Sequence, residues 1–261
     1  MPSPFRHRPP PVRLITFDAF GTLFYPYPAI QQQYALAAQR HGINISADEL
    51  KPHFKTAFKH VIKRRPNYGR GQDESGLSED WRGWQGWWHE LIHRTFVHAN
   101  GKEPPVALGH DLLHRFSSSE GYKLHTDTLP LLKYLHREHP FVVLGVMSNS
   151  DPRIPLVLDS LGISKYFALT TLSYDVGHEK PHGAIFEAAL NKANEVRPVM
   201  EGTRDTDIVP AECIHVGDDK EQDIEGARTA GWRSIWMQRG EDYEATSASS
   251  LMDVVRIIEG R

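Results

Sequence analysis

The chain has 261 residues, with 30 Lys and Arg against 33 Asp and Glu, for a formal net charge of −3. That balance gives no reason to expect nucleic acid or an anionic membrane as a partner, and no apolar run approaches the ~20 residues a spanning helix needs. The one cysteine, Cys213, excludes an intrachain disulfide and fits a reducing compartment.

In chain order, residues 1–11 are rich in Pro and Arg, lack the apolar stretch of a secretory signal, and are expected to be a flexible leader. A β-prone run at 13–17 ends in Asp18 and a Gly21-Thr22 turn. From 25 to 122 the pattern is helical throughout, with candidates at 28–41, 47–63, 79–98 and 106–116. That stretch is too long for a loop and predicts an inserted helical cap domain. Strands are expected at 142–146, 169–172, 213–216 and 234–237, alternating with helices at 128–136, 153–161, 183–194 and 223–230. The alternation predicts an α/β fold, a Rossmann-like parallel sheet covered on both faces, built from 12–24 and 123–261. The Gly-rich segment 65–76 is expected to be a mobile loop, and the polar stretch 195–207 to be poorly ordered.

Four groups of chemistry-bearing residues fall where strands end. Asp18 closes the first strand; Ser148-Asn149 come after the second; Lys180-Pro181 precede a helix; Asp218, Asp219 and Asp223 come after the strand ending at Val216. Each has an ordinary structural explanation: a turn-forming Asx residue, a helix cap, a solvated charge, acids at a helix start. Only their joint order points to one site.

Other features have competing explanations. His89-Glu90-Leu91-Ile92-His93 matches H-E-x-x-H, and helical spacing puts both histidines on one face. Among 15 histidines a chance match is easy, and the extended metal-binding continuation is absent. Trp81, Trp84 and Trp88 form a helical stripe suited to packing, with Trp87 to the side, where it could face a cleft. The basic run Lys59 to Arg65 fits a helix C-terminus, with nuclear import as the alternative. Arg70, in the Gly-rich loop, could reach an anion. Asn44-Ile45-Ser46 fits a glycosylation sequon and is taken as chance.

The run Phe17-Asp18-Ala19-Phe20-Gly21-Thr22-Leu23, the Ser148-Asn149 and Lys180-Pro181 pairs, and Gly217-Asp218-Asp219 through Asp223, Gly226-Ala227 and Ala230-Gly231-Trp232, resemble the haloacid dehalogenase-like (HAD) hydrolase superfamily over nearly the whole chain. Pro66-Asn67-Tyr68-Gly69, Trp87-Trp88 and Thr95-Phe96 are similar to the branch that includes haloacid dehalogenase-like hydrolase domain-containing protein 3 and the rhythmically expressed gene product of insects.

The resemblance implies a phosphatase working through an aspartyl-phosphate on a small phosphorylated metabolite. Asp18 is then the nucleophile, with Lys180 also catalytic. Thr22, Ser148 and Asn149 bind the substrate, and Mg²⁺ is held by Asp18, the Phe20 backbone carbonyl, Asp218 and Asp223. No nucleic-acid or membrane partner is implied, and oligomeric state stays open. The expected compartment is the cytoplasm, with nucleus and mitochondrion as alternatives.

One departure matters. Most phosphatases of the superfamily carry a second Asp where this chain has Phe20. Phe can neither protonate a leaving oxygen nor activate water, help worth ~10²–10⁴ in rate, so weak or atypical turnover is expected. A 2-haloacid dehalogenase, whose first motif also has an aromatic residue here, is one alternative. A catalytically impaired binding or regulatory protein is the other.

Overall fold

The computed structural model describes residues 10–72, 74–75, 82–198, 206–239 and 247–259. Most of the leader, Trp81 and residues 199–205 of the polar stretch lie outside them.

Six strands form one sheet: β1 (Leu14–Phe17), β4 (Val143–Ser148), β5 (Leu169–Leu172), β6 (Cys213–Gly217), β7 (Arg233–Met237) and β8 (Ser247–Ala248), in the order β5-β4-β1-β6-β7-β8. Every pairing is parallel. β1, Leu-Ile-Thr-Phe, is buried along its whole length and lies between β4 and β6, with Phe17 opposite both Val146 and Val216. A strand buried on both faces needs such a continuous apolar run. Its central place puts the next residue, Asp18, between the ends of two neighbouring strands. Helices α5 (Thr128–Glu138), α6 (Ile154–Ser160), α7 (Ser173–Val176), α8 (Gly183–Val196), α9 (Gly226–Thr229) and α10 (Leu251–Glu259) connect or cover the strands.

The predicted strands agree with the sheet to within two residues at their ends. β8 and α10 were not anticipated. The helix expected at 223–230 is instead a π-helical turn, Lys220–Glu225, running into α9. The Asp219 side chain caps that turn by accepting from the backbone N–H groups of Glu221 and Gln222, at 2.9 and 2.8 Å.

The long helical stretch contains α1 (Ile30–Arg40), α2 (Ala47–Arg64), α3 (Gly83–Asn100) and α4 (Val106–Arg115). It leaves and rejoins the sheet through an antiparallel pair, β2 (Phe24–Pro26) with β3 (Tyr122–Leu124). α2 begins with a reciprocal capping box: the Glu49 N–H donates to Ser46 Oγ at 3.2 Å, and the Ser46 N–H donates to the Glu49 carboxylate at 2.9 Å. Lys63 and Arg64 lie in its last turn, favourable against the dipole, and Pro66 stops it.

The segment expected to be mobile is instead anchored over 65–70. Arg65 and Asn67 are buried. Asn67 and Ser173 exchange hydrogen bonds, Asn67 Nδ2 to the Ser173 carbonyl and Ser173 Oγ to Asn67 Oδ1, both 2.8 Å. Asn67 and Tyr68 both have positive φ, 46° and 56°, a conformation held by such long-range contacts. Glycines marked the tight turn but not its docking partner.

Candidate active site

Because β1 is central, Asp18 emerges between the ends of β4 and β6, its backbone N–H donating to the Val216 carbonyl at 2.8 Å. Ser148 ends β4, and Asp218 comes directly after β6. Asp223 returns to the same point on the π-helical turn, its Oδ2 accepting from the Asp219 N–H at 2.9 Å. One carboxylate oxygen from each of Asp18, Asp218 and Asp223 lies within 4.8 Å of the others. Lys180 reaches in from the loop before α8, its Nζ donating to Asp18 Oδ1 at 2.7 Å, Asp223 Oδ1 at 2.6 Å and the Met147 carbonyl at 3.0 Å. Together with Phe20, Gly21, Ser148, Asn149 and Asp219, these residues line a cavity of about 290 Å³.

Three carboxylates face one ammonium, and their acidities diverge. Burial, with Asp223 and Asp218 nearby, pushes the Asp18 carboxyl up to about 6 despite Lys180. Burial opposes ionisation of Asp223 too, but Lys180 and His215 hold it below the ordinary carboxylate range. Burial also opposes a charge on Lys180, yet the two acids it bridges keep it protonated. Asp218 is raised by burial and by Asp223.

The donors present fit a hard divalent cation: all are oxygens, and they converge where one ammonium does not balance their charge. The backbone makes room for them. Gly21 has φ +74°, and a Cβ there would fall 2.2 Å from Asp218 Oδ2. A Cβ on Gly217 would fall 2.2 Å from the Asp223 Cγ. Only glycine permits both carboxylates to stand where they do.

Not every expected residue offers the cavity a free polar group. Thr22 is fully buried and is not among the lining residues; its Oγ has no hydrogen-bond partner among the described residues. The Asn149 amide works inside the protein, Nδ2 donating to the Lys180 carbonyl at 2.9 Å and to Gln222 Oε1 at 2.7 Å, and Oδ1 accepting from the Lys180 N–H at 2.6 Å. It ties the loop carrying Lys180 to the one carrying Ser148. Arg70 donates to the Tyr174 carbonyl and is not among the cavity's lining residues. Trp87 is buried in packing with Ala57, Val61 and Leu91, whereas Trp88 faces the cleft; helical spacing gave the stripe but not its direction. Glu90 of the H-E-x-x-H match is engaged by Arg64, Arg65 and Arg94, and His89 packs on His110. Among the described residues the acidic trio is the one group arranged for a metal.

Two features escaped the sequence. Buried His215 accepts or donates at both ring nitrogens, 2.8 Å from Thr16 Oγ1 and 3.0 Å from Asp223 Oδ1. Burial lowers its basicity. Arg153, at the start of α6, grips Asp151 through Nε and Nη2 at 2.9 and 2.8 Å. A cation at a helix N-terminus opposes the dipole; that local conflict was the available signal.

A model of the haloacid dehalogenase-like hydrolase family matches residues 12–231. The chain belongs to that family. The rhythmically expressed gene 2 protein of Drosophila melanogaster is 32% identical over 85% of this chain and 81% of its own length. Haloacid dehalogenase-like hydrolase domain-containing protein 3 of Bos taurus is 28% identical over 92% and 87%. Among solved structures, the HAD-hydrolase YfnB of Bacillus subtilis bound to magnesium superposes with TM-score 0.65 at 17% identity, covering 96% of this chain and all of that one. The L-2-haloacid dehalogenase of Xanthobacter autotrophicus with chloropropionic acid covalently bound gives 0.66 at 14%, covering 95% and 99%. At such identities these two share the HAD fold with this chain, and they establish nothing finer. No described helix is long and apolar enough to cross a membrane.

Proposed function

We propose that this HAD hydrolase is a Mg²⁺-dependent phosphatase in which Asp18 attacks the phosphorus of a small phosphorylated metabolite. The observation that carries the reading is the convergence of Asp18, Asp218 and Asp223 on one point beside Lys180. Asp18, Asp218, Asp223 and the Phe20 carbonyl are the groups that would hold the ion. When bound, it supplies positive charge that offsets repulsion between carboxylate and phosphoryl group.

The protein's own residues do the rest. Asp18 Oδ forms the bond to phosphorus as the ester oxygen departs, giving an aspartyl-phosphate that water then hydrolyses. Lys180 stays protonated beside Asp18 and Asp223, holds the nucleophile in place and neutralises charge on the transferring group. Asn149 fixes the loop that delivers Lys180, and Ser148 offers a hydroxyl at the cavity wall.

Phe20 stands where an acid would protonate the leaving oxygen. Its ring packs on Phe24 and Tyr122, with centroids at 5.2 and 5.6 Å. Nearby carboxylates are committed elsewhere: Asp151 to Arg153 and Trp88, Asp219 to its capping hydrogen bonds. Esters with good leaving groups are therefore the preferred substrates, and the helices α1–α4 act as a cap that decides which of them enter.

The test is phosphate release from a panel of small phosphate esters with Mg²⁺. Activity is expected to require the metal and to fall to the uncatalysed level in Asp18→Asn. Turnover that survives that substitution would overturn the reading. Phe20 gives a 2-haloacid dehalogenase some support. A dehalogenase uses no metal, so nothing would offset the repulsion between three converging carboxylates and a substrate that is itself a carboxylate, and no chloride release from 2-chloropropionate is expected.

A further inference from the structure

A second cavity, about 320 Å³, lies between helices α1, α2 and α3 on one side and the loop after β4 with the start of α6 on the other. Phe20 lines both this chamber and the acidic cavity, and so does the loop after β4: Ser148 and Asn149 face one, Ser150 and Asp151 the other. The two spaces are thus neighbours across one ring and one loop.

The chamber walls are mainly rings, among them Phe20, Tyr34, Phe58, Tyr68, Trp88 and Tyr122. Set into them is Arg153, 5% exposed, its guanidinium 4.2 Å from the centroid of the Trp88 ring. Nε and Nη2 are paired with Asp151; Nη1 has no hydrogen-bond partner among the described residues. Two further polar atoms of lining residues, Tyr34 Oη and Ser150 Oγ, are buried without partners among the described residues, on side chains 1% and 2% exposed. A buried donor left unmatched costs ~1–3 kcal/mol, so these two, beside the Nη1 edge of Arg153, point to an oxygen atom supplied from outside.

Charge decides what carries that oxygen. The guanidinium is already balanced by Asp151, which also accepts from Trp88 Nε1 at 2.8 Å. The chamber is therefore neutral overall. A second anion would be desolvated there without an opposite charge of its own, which is costly. A neutral ring bearing a hydroxyl, ether or carbonyl oxygen meets the rings by edge and face contacts and gives the unmatched donors an acceptor.

We propose that this chamber binds the uncharged, ring-bearing body of the ligand whose phosphoryl group meets Asp18. This deepens, and rests on, the phosphatase reading for the identity of the second half of the ligand. The chamber itself is separable from that chemistry. Phe20 forms the partition: the chain gives up an acid there and gains an aromatic wall shared by both halves of the site. The substrate class is an aryl or other cyclic phosphate ester with a neutral body, and the aryl oxides among these also leave more readily than alkoxides.

The probes are 1-naphthol, 1-naphthoate and 1-naphthyl phosphate, titrated against the full chain and followed by tryptophan fluorescence. 1-Naphthol is expected to bind wild type and Asp18→Asn equally, and about tenfold or more tighter than 1-naphthoate. Ile30→Trp, at a half-buried position of the chamber wall, should abolish binding. Ser150→Ala, which adds no bulk and serves if the tryptophan variant does not fold, should weaken it by about two- to tenfold. No binding of 1-naphthol to wild type, binding of 1-naphthoate as tight or tighter, or full affinity in both variants would overturn the proposal. If 1-naphthol behaves as expected but 1-naphthyl phosphate is never hydrolysed, the chamber assignment stands and the phosphatase reading fails alone.

Discussion

Phe20 is the residue on which the proposed chemistry turns. In that proposal it takes the place of the usual proton donor, and its ring joins Phe24 and Tyr122 in one aromatic cluster. Phe20→Asp restores an acid beside the cavity at the expense of that packing. Turnover of a poor-leaving-group ester such as an alkyl phosphate is expected to rise by ~10²-fold or more, while binding of aromatic probes weakens. Unchanged turnover in a folded variant would show that Phe20 does not limit proton transfer. At this scale the acids and the lysine that converge in the cavity could be picked out of the sequence, because Asp18 and Asp218 directly follow strands and the order of the four groups is distinctive. It did not disclose that Thr22 turns inward or that the Asn149 amide is fully used, since both depend on which partners the fold brings within about 3 Å.

At the scale of elements, the N-terminus of α6 shows why some of the site was hidden. Asp151 and Arg153 are two residues apart, and both side chains are buried against Trp88, which comes from α3. Spacing along the chain reveals neither the burial nor the tryptophan. The pair sets an energetic trap: removing one partner strands the other. Asp151→Asn is expected to cost ~3–5 kcal/mol in unfolding free energy, whereas Asp151→Asn combined with Arg153→Met should cost markedly less, because no unpaired charge remains. Chemical denaturation measures both. Equal losses would mean that the ion pair is not the source of the cost. The strands were legible from their apolar runs; β8, only two residues long, was not. The turn at 67–69 shows the same division. Its glycine was visible, while the Asn67–Ser173 exchange that pins it spans more than a hundred positions of sequence.

On the scale of the whole molecule, the acidic cavity links folding to pH and to metal. Asp18 titrates near 6 when folded against an ordinary value of 3.8. Between those values the folded chain keeps a proton that the unfolded chain has lost. Through Asp18, metal-free protein should therefore lose stability as pH rises from ~4 to ~6, while buried His215, whose basicity burial lowers, contributes stability that grows as pH rises toward its ordinary 6.5. Asp151 also works in the opposite direction to Asp18. Arg153 holds its acidity below normal despite burial, so its contribution is present above the ordinary carboxylate pKa and disappears as pH falls through the folded value. A cation at the trio competes with the Asp18 proton. The rise in melting temperature on adding Mg²⁺ should accordingly be larger at about pH 7.5 than at about pH 5. A larger rise at the lower pH, or none at either, would contradict the assignment of the trio. The parallel sheet, the site at its carboxyl edge and the helical insertion were all readable from strand–helix alternation and one long interruption. The chamber beside the site was not, because it is made where two distant parts of the chain meet.

The most direct test of Asp18 as nucleophile is to catch the bond it forms. Wild type incubated with Mg²⁺ and acetyl phosphate, quenched in acid and digested, should yield the peptide containing Asp18 heavier by one phosphoryl group. That mass should be absent when the metal is chelated and in Asp18→Asn. Phosphorylation that appears without divalent metal, or on any other residue while Asp18 stays unmodified, would contradict the account.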